Sequence, residues 1–534
     1  MSIQKEISNV LSFISANGYQ IHPNAFIFLK DIDSNRMNVV QQVVKHKKQN
    51  NDNSVISIDD LKIFYTSEYS YDVKKKQVKS NIKSSTIYQS INSSINDESY
   101  SLKDSFKIIF DSTESINPGE GIIGFTSLFN SRFTKSLKIL SLRPDSKRIN
   151  KIAFVKKNQK MNKQYTKTKS EYNFNQIENN SNSLSTNSAV IAGLLMSKRS
   201  KRNSIELTID DQSGIINALA VTDETMKIVS KLTLDQMVML EIENKGINYI
   251  VKNVYSPDIP DHIPNKSKTE SYVVLISDLH VGSKYFKEIE FLRFLNWLNT
   301  SDNEIVGKIK FLCICGDLID GVGIFPNQDK ELKLNNIYRQ INHLTKLLER
   351  IPERIQVFVI PGNHDPGRRA LPQPAIPEKD SGKLYSLKNF VMLGNPSLVE
   401  LDGVKILMYH GQGLDDIIAT TPGLSYSNPA DAMKILLKAR HLSPIYGQRT
   451  PISPELEDLM VISEVPDILH SGHIHVMDVQ NYRGTLIVNS GTWQNQTPFQ
   501  QTMGITPTPG IAILVNLATL RPFQINFNQE YLLM

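Results

Sequence analysis

The amino-acid sequence predicts a multidomain α+β chain with a small helical N-terminal unit, an OB-like β-barrel and a C-terminal α/β sandwich. Three features predict it. Apolar residues recur at helical spacing within the first 65 positions, five short strand-like segments crowd into residues 189–265, and beyond residue 270 short apolar runs alternate with helical stretches. A length of 534 residues also exceeds what one hydrophobic core serves.

Residues 1–65 read as helical because Ile7, Val10, Leu11 and Ile14 share a helix face, and Met37, Val40, Val43 and Val44 repeat the pattern. Residues 66–188 read mostly as flexible linker. The stretches 66–103 and 156–188 are rich in Ser, Asn and Lys and bury too little apolar area to offset ordering entropy. Between them a short ordered segment is expected near 106–142, where the chain is more hydrophobic. Lys147 to Lys169 holds nine basic residues and no acidic one. Such a run is ordinarily solvated linker, and attraction to DNA phosphates is its second reading.

The segments AVIAGLLMS, SIELTIDD, GIINALAV, MVMLEIEN and YIVKNVYS supply the five strands of the 189–265 barrel. Asp210–Gly214 forms a tight turn there, and Asp223–Val229 a helical insert, as suits an OB-fold. Only Tyr249 and Tyr255 offer aromatic faces, a thin platform for stacking single-stranded bases. A protein-contact role suits this barrel better.

Residues 270–534 carry the chemistry. YVVLISD, KFLCICGD, IQVFVIPGN, VKILMYHG and PDILHSGH read as strands buried on both faces, with helices expected at Glu288–Asn299, Lys330–Ile351 and Pro429–Leu442. That alternation implies mainly parallel pairing, and such sheets gather ligands outside the carboxyl ends of their strands. Each run stops at a polar motif: Asp278-Leu-His280, Gly316-Asp317-Leu-Ile-Asp320, Gly362-Asn363-His364-Asp365, Tyr409-His410-Gly411 and Gly472-His473-Ile-His475. Any one of these is a weak signal, because a lone His-x-His is ordinarily a surface or core pair and Gly-Asn-His-Asp also makes a tight turn. Five at five strand ends form a mixed aspartate, asparagine and imidazole donor set fit for two divalent metals and phosphate-ester displacement.

Composition bounds the alternatives. A net charge of +6 is too small for a uniformly basic protein, so nucleic-acid contact must come from local patches. Cys313 and Cys315, the only cysteines, alternate within an apolar run and exclude a disulfide framework, so a cytoplasmic location is expected. The opening MSIQKEISNVL has no apolar signal core, and no apolar run is long enough to span a bilayer, so no membrane association is expected.

The five motifs, in this order, resemble the calcineurin-like metallophosphoesterase superfamily, from roughly Ser271 to the C terminus. The resemblance implies that fold for residues 270–534. It places one cation on Asp278, His280, Asp317 and His475, and the other on Asp317, Asn363, His410 and His473, with Asp317 bridging. It makes His364 the non-ligand histidine near the leaving group, oriented by Asp320. The donor set favours Mn²⁺ for both ions, with Zn²⁺, Fe and Mg²⁺ as alternatives.

The longer strings Asp320-Gly-Val-Gly-Ile-Phe-Pro326, Pro361 to Pro377, Tyr409 to Asp416, Arg440 to Gly447 and Asn489-Ser-Gly-Thr-Trp-Gln494 resemble the small subunit of archaeal family D DNA polymerases. So do Ile108–Asp111, Gly119–Gly121 and Phe129–Phe133. This resemblance implies a 3′–5′ proofreading exonuclease acting on DNA 3′ ends. It also implies a large catalytic polymerase subunit as partner, in a heterodimer or higher assembly, and a nucleoid-associated location. A sliding-clamp contact stays open, as the final NQEYLLM lacks a clamp-binding motif. Non-catalytic scaffolding, as in the ligand-less B-subunits of eukaryotic polymerases, is the alternative from another class; a repair nuclease or phosphatase is a third.

Arg368 and Arg369, close behind Gly-Asn-His-Asp, are candidate DNA-phosphate contacts. Trp493 is a candidate base-stacking or core residue, and His470 a candidate support for the site. With the linkers dispensable, a fragment starting near Thr186 is expected to keep partner binding and hydrolysis.

Overall fold

In the computed structural model the described residues are 3–17, 36–49 and single positions between 19 and 61, then 105–143, 146, 148–159, 188–300 and 303–529. The linker expectation for 66–103, and for 160–187 of the second stretch, lies outside them. The chain divides into two compact units, residues 1–99 and 100–534.

The first unit contains the helices Ile3–Ala16 and Arg36–Gln49. Val10 and Ile14 from one, and Val39, Val40, Val43 and Val44 from the other, are buried in a common small core. These are largely the positions at which helical spacing puts apolar side chains on one face.

Strands of the second unit are β1 (Phe106–Asp111), β2 (Ser188–Lys201), β3 (Ser204–Asp210), β4 (Ile215–Ala220), β5 (Met237–Lys245) and β6 (Asn248–Tyr255). They continue with β7 (Tyr272–Ile276), β8 (Ile309–Cys315), β9 (Gln356–Ile360), β10 (Phe390–Met392), β11 (Ser397–Leu401) and β12 (Val404–Met408). The last are β13 (Ile468–Ser471), β14 (Met477–Tyr482), β15 (Thr485–Ser490), β16 (Ile511–Asn516) and β17 (Arg521–Asn526).

β2 to β6 close into a barrel of order β2-β3-β4-β6-β5, with β4 and β6 parallel and the other neighbours antiparallel. The order is OB-like, and the helix Asp223–Ser230 sits between the third and fourth barrel strands. Alternate side chains such as Leu207, Ile209, Leu240 and Ile242 fill the interior. The basic stretch expected as linker is ordered where it meets the barrel: residues 152–159 are helical, and Ile152 and Val155 join the barrel core. Two apolar side chains three apart suffice to dock one helical turn, a signal too short to read against the surrounding lysines.

The remaining strands form two six-stranded sheets, β1-β11-β12-β13-β15-β14 and β10-β9-β8-β7-β16-β17. Val273, Leu275, Phe311, Cys313 and Phe358 from the second sheet share one buried core with Val399, Ile406, Met408, Ile468 and Val488 from the first. The helices Glu288–Leu298 and Ile337–Leu348 cover the outer face of the second sheet, and Gly413–Thr420 and Pro429–Ala439 that of the first. Burial on both faces explains the unbroken apolar runs. The helix expected over Lys330–Ile351 is shorter, because the Asn336 side chain accepts from Arg339 N and starts a helix there. Residues ahead of it turn back on the loop after β7, where Lys333 and Leu334 donate to the Gly282 carbonyl.

The segment near 106–142 is structural. β1 is the edge strand of the first sheet, antiparallel to β11, and the helix Gly121–Ser141 carries Arg132, 1 % exposed. Its Nε donates to Asp458 Oδ2 at 2.7 Å, one Nη donates to the Asp235 and Pro444 carbonyls, and His441 Nε2 meets the same Asp458 oxygen at 3.0 Å. Arg132 therefore joins the helix to both barrel and sandwich, and a fragment starting near Thr186 would lose β1 and this contact. Removing one partner from a buried pair costs about 3–5 kcal/mol, so Arg132→Ala is expected to lower unfolding stability by roughly that amount in urea titration.

The same cluster gives stability an acid limit. Burial and the Arg132 charge outweigh the Asp458 carboxylate and lower His441 from 6.5 to about 4. The unfolded chain therefore takes this proton first, and stability falls as pH drops from about 6.5 towards 4. The urea midpoint should fall between pH 7 and pH 5, and fall less in His441→Gln.

Candidate metal centre

β7, β8 and β9 run parallel in one sheet and β12 and β13 in the other, and two or three residues beyond their carboxyl ends stand Asp278, Asp317, Asn363, His410 and His473. Chain reversal at these ends is abrupt. Asp278, His280, Asp317, His473 and His475 all adopt left-handed backbone, with φ of 54°, 52°, 51°, 69° and 64°. Such conformations are unfavourable for non-glycine residues and gather at functional sites. Here backbone bonds hold them: Asp278 N donates to the Gly316 carbonyl, His280 N to that of Asp317, and Trp493 N to that of Asp278. A Cβ at Gly362 would overlap the Asp317 carboxylate, and one at Gly472 the Asp278 carboxylate, which accounts for glycine in both motifs.

The side chains converge in two groups, linked by a third made of His280, Asp317 and His364. Asp278, His280 and His475 form one, with His475 Nε2 at 3.3 Å from Asp278 Oδ1 and at 3.0 Å from His280 Nε2. Asp317, His410 and His473 form the other, with His410 Nε2 at 3.4 Å from Asp317 Oδ2 and 3.1 Å from Asn363 Oδ1. Asp317 Oδ2 is also 3.7 Å from His280 Nε2, so this one oxygen faces both groups. Donors sharing a cation at about 2.0–2.2 Å lie about 3–3.5 Å from each other, and the contacts made by His475 Nε2 and His410 Nε2 fall in that range.

The ring nitrogens turned away from the centre are all engaged. His280 Nδ1 donates to Asp320 Oδ1 at 3.1 Å, His410 Nδ1 to the Cys315 carbonyl at 2.8 Å, and the Gln500 side chain meets His475 Nδ1 at 2.7 Å. His473 is reversed: its Nε2 bonds Asp415 Oδ2 at 2.9 Å, which leaves Nδ1 for a cation. A partner on the outer nitrogen fixes ring orientation and raises ligand basicity.

Electrostatics favour positive charge here. Burial would raise the Asp317 carboxyl, but the imidazoles of His410, His364 and His280 hold it well below the usual range. Asp278 behaves likewise under His475. Burial works against the His410 imidazolium, yet Asp317 and Asp278 lift it to about 10. A divalent cation answers the same field while leaving Nε2 lone pairs to bind it, so the donor set fits metal.

A cavity of about 270 Å³ opens over these residues, lined also by Phe325, His364, Tyr426 and Phe499. Other cavities, at the barrel end by Tyr249 and beside β1 at Phe110, contain no such donor group among the described residues.

The matched positions run along the same stretch. The family model for the B-subunit of DNA polymerases alpha and epsilon matches residues 273–475, which begins in β7 and ends on His475. The DNA polymerase II small subunit of Pyrococcus furiosus is 36% identical over 445 residues, covering 79% of this chain and 68% of its own length. That of Methanothermobacter thermautotrophicus is 35% identical over 426 residues, covering 78% of this chain and 82% of its own. The chain belongs to the DNA polymerase II small-subunit family. A third member, from Pyrococcus horikoshii, is 37% identical over 418 residues, 76% of this chain and 63% of its own length.

Within this family member the structure revises two sequence expectations and decides between the two readings of Trp493. The Asp320 carboxylate does not orient His364. It holds His280, Gln494 and Gln328, while the Asp320 backbone carbonyl accepts from His364 Nδ1 at 2.7 Å. Arg368 is turned away from a phosphate role, because its guanidinium donates to Glu455 Oε1 at 2.6 Å and to the Ser453 hydroxyl. Arg369 stays exposed. Trp493 packs in the core against Phe291 and Phe294, 1 % exposed, and stacks on no base.

His470 supports the floor of this centre, with Nδ1 at 3.1 Å from Cys315 Sγ and Nε2 at 3.0 Å from the Ser490 hydroxyl. Asp365 is structural: its carboxylate accepts from the Gly362, Leu318 and Ile319 amides and ties two ligand loops together. Sequence reasoning missed Asp415, Gln328, Gln494 and Gln500. Asp415 lies within the Tyr409–Asp416 string and Gln494 ends the Asn489–Gln494 string, but Gln328 and Gln500 carried no local signal.

Proposed function

We propose that this chain hydrolyses DNA from the 3′ end, as a proofreading exonuclease beside a large polymerase subunit, with two divalent metals, Mn²⁺ favoured. The observation that carries this reading is Asp317 Oδ2 facing both ligand groups, with every expected ligand at a strand end around it. When bound, two such cations lower the pKa of water and stabilise both oxygens of an in-line phosphate displacement.

The residues supply position and a proton. Asn363 is a neutral donor, which limits negative charge around the arriving phosphodiester. His364 donates Nδ1–H to the Asp320 carbonyl, so its Nε2 is turned into the cavity, 3.9 Å from Asp317 Oδ2. Burial lowers its pKa, with Asp317 and Asp320 pulling the other way. An arriving phosphodiester adds negative charge beside the ring and favours the imidazolium. As water attacks phosphorus, the P–O3′ bond breaks, its electron pair stays on O3′, and His364 delivers the proton there.

The barrel is assigned to protein contact. Tyr249 is buried with its hydroxyl donating to Gln159 Oε1, and the Arg143 guanidinium lies 5.2 Å from the Tyr255 ring centre, so neither is an open stacking face. The large subunit is therefore proposed to dock on barrel and sandwich together. No described helix is long and apolar enough to cross a membrane.

Fraying frees an unpaired terminal nucleotide to reach the centre, so single-stranded and mismatched 3′ ends are expected to be shortened faster than matched ones. Primer-extension gels with Mn²⁺ read this directly. Equal rates on matched and mismatched ends would favour a general nuclease, and hydrolysis of phosphoproteins alone would favour a phosphatase.

A further inference from the structure

The cavity over the metal centre has aromatic side chains that the ligand set does not use. Phe499, on the helix Pro498–Thr502, is 61% exposed although it lines the same cavity as His280, Asp317 and His475. Its helix is not free to drift. Thr497 and Gln500 form a capping box at its start, and the Gln500 side chain meets the ligand His475 at 2.7 Å. Phe325, from the loop after β8, is half-buried with its ring centre 6.3 Å from that of His364.

The His280 ring lies against two of the other imidazoles, with centres 4.7 Å from His364 and 4.8 Å from His475. Phe325 thus neighbours the His364 end of this row, and the Phe499 helix the His475 end. The two ends are chemically different. In the reaction proposed above, His364 serves the leaving O3′, which belongs to the strand that remains. The terminal nucleotide, released as its 5′-monophosphate, then lies towards His475 and Phe499.

We propose that Phe499 is the stacking platform for the unpaired 3′-terminal base, an inference that rests on the exonuclease reading above. An aromatic face accepts any base, because every base has a π-face, and proofreading requires that tolerance. A terminal base still paired in a duplex is held by its partner strand and cannot swing into the cavity to meet the ring. Phe499 therefore favours frayed over paired ends in addition to the cost of unpairing.

The test uses the full chain, with its large subunit where one co-purifies, and two oligonucleotides that differ only in an ordinary or an abasic 3′-terminal residue. Phe499→Ala is expected to raise KM for the ordinary end about 10- to 100-fold with little change in kcat. On the abasic end the ratio of wild type to variant should collapse towards one, and Phe499→Trp should restore the ordinary end. Equal loss on both substrates would show a structural role through His475 and overturn the platform, as would no loss on either. If wild type releases nothing from either strand, the exonuclease reading itself fails, and the platform with it.

Discussion

Asp317→Ala is expected to abolish 3′-end hydrolysis while the chain stays folded. Asp317 is the one carboxylate whose oxygen faces both ligand groups, at 3.4 Å from His410 Nε2 and 3.7 Å from His280 Nε2. Its loss removes the negative charge that draws cations to the two groups at once. Asp278 instead lies nearest His475, and Asn363 nearest His410. The fold should survive, because the core between the sheets is apolar and the loops after β8 and β9, joined by Asp317 Oδ1 accepting from the His364 amide, are also held by the Asp365 carboxylate. Gel assays of single-strand shortening with Mn²⁺, beside circular dichroism of the same sample, separate lost chemistry from lost structure. Activity above a tenth of wild type would remove Asp317 from the centre.

His364→Ala is expected to keep the metals and lose about 10²–10⁴ in kcat, the usual worth of a positioned general acid. His364 lies beside His280 and Asp317, and two variants together separate proton delivery from metal binding. The His364 Nδ1 is taken by the Asp320 carbonyl, and its Nε2 stands in the open cavity. Asp320→Asn is the informative companion. It spares the carbonyl that holds His364 but weakens the carboxylate contact to His280, so it should lower metal affinity about 10–100-fold and be rescued by added Mn²⁺. Full activity of His364→Ala at neutral pH would contradict the proton-delivery role.

Much of this was legible in the sequence for one reason. Strands buried on both faces must be continuous apolar runs, and the turn after each is where polar residues first become tolerable, so Asp278, Asp317, Asn363, His410 and His473 announce themselves. The residues that aim them do not. Asp415, Gln494 and Gln500 bond partners 58, 174 and 25 positions away, and although Asp415 and Gln494 lie in recognised strings, nothing in the local pattern says which ligand or neighbour each would meet. The same blindness put Arg368 on DNA, because its partner Glu455 is 87 positions away. The helix at 152–159 was hidden by the lysines around Ile152 and Val155, and the role of Asp320 because a backbone carbonyl has no sequence signature.

The central claim is a two-cation centre with Asp317 at its middle, and metal content is its most direct measure. Elemental analysis of the Mn²⁺-equilibrated, desalted protein should find two divalent ions per wild-type chain. His364→Ala should keep both, and Asp317→Ala should hold at most one. Unchanged stoichiometry in Asp317→Ala, or a single ion in the wild type, would contradict the account.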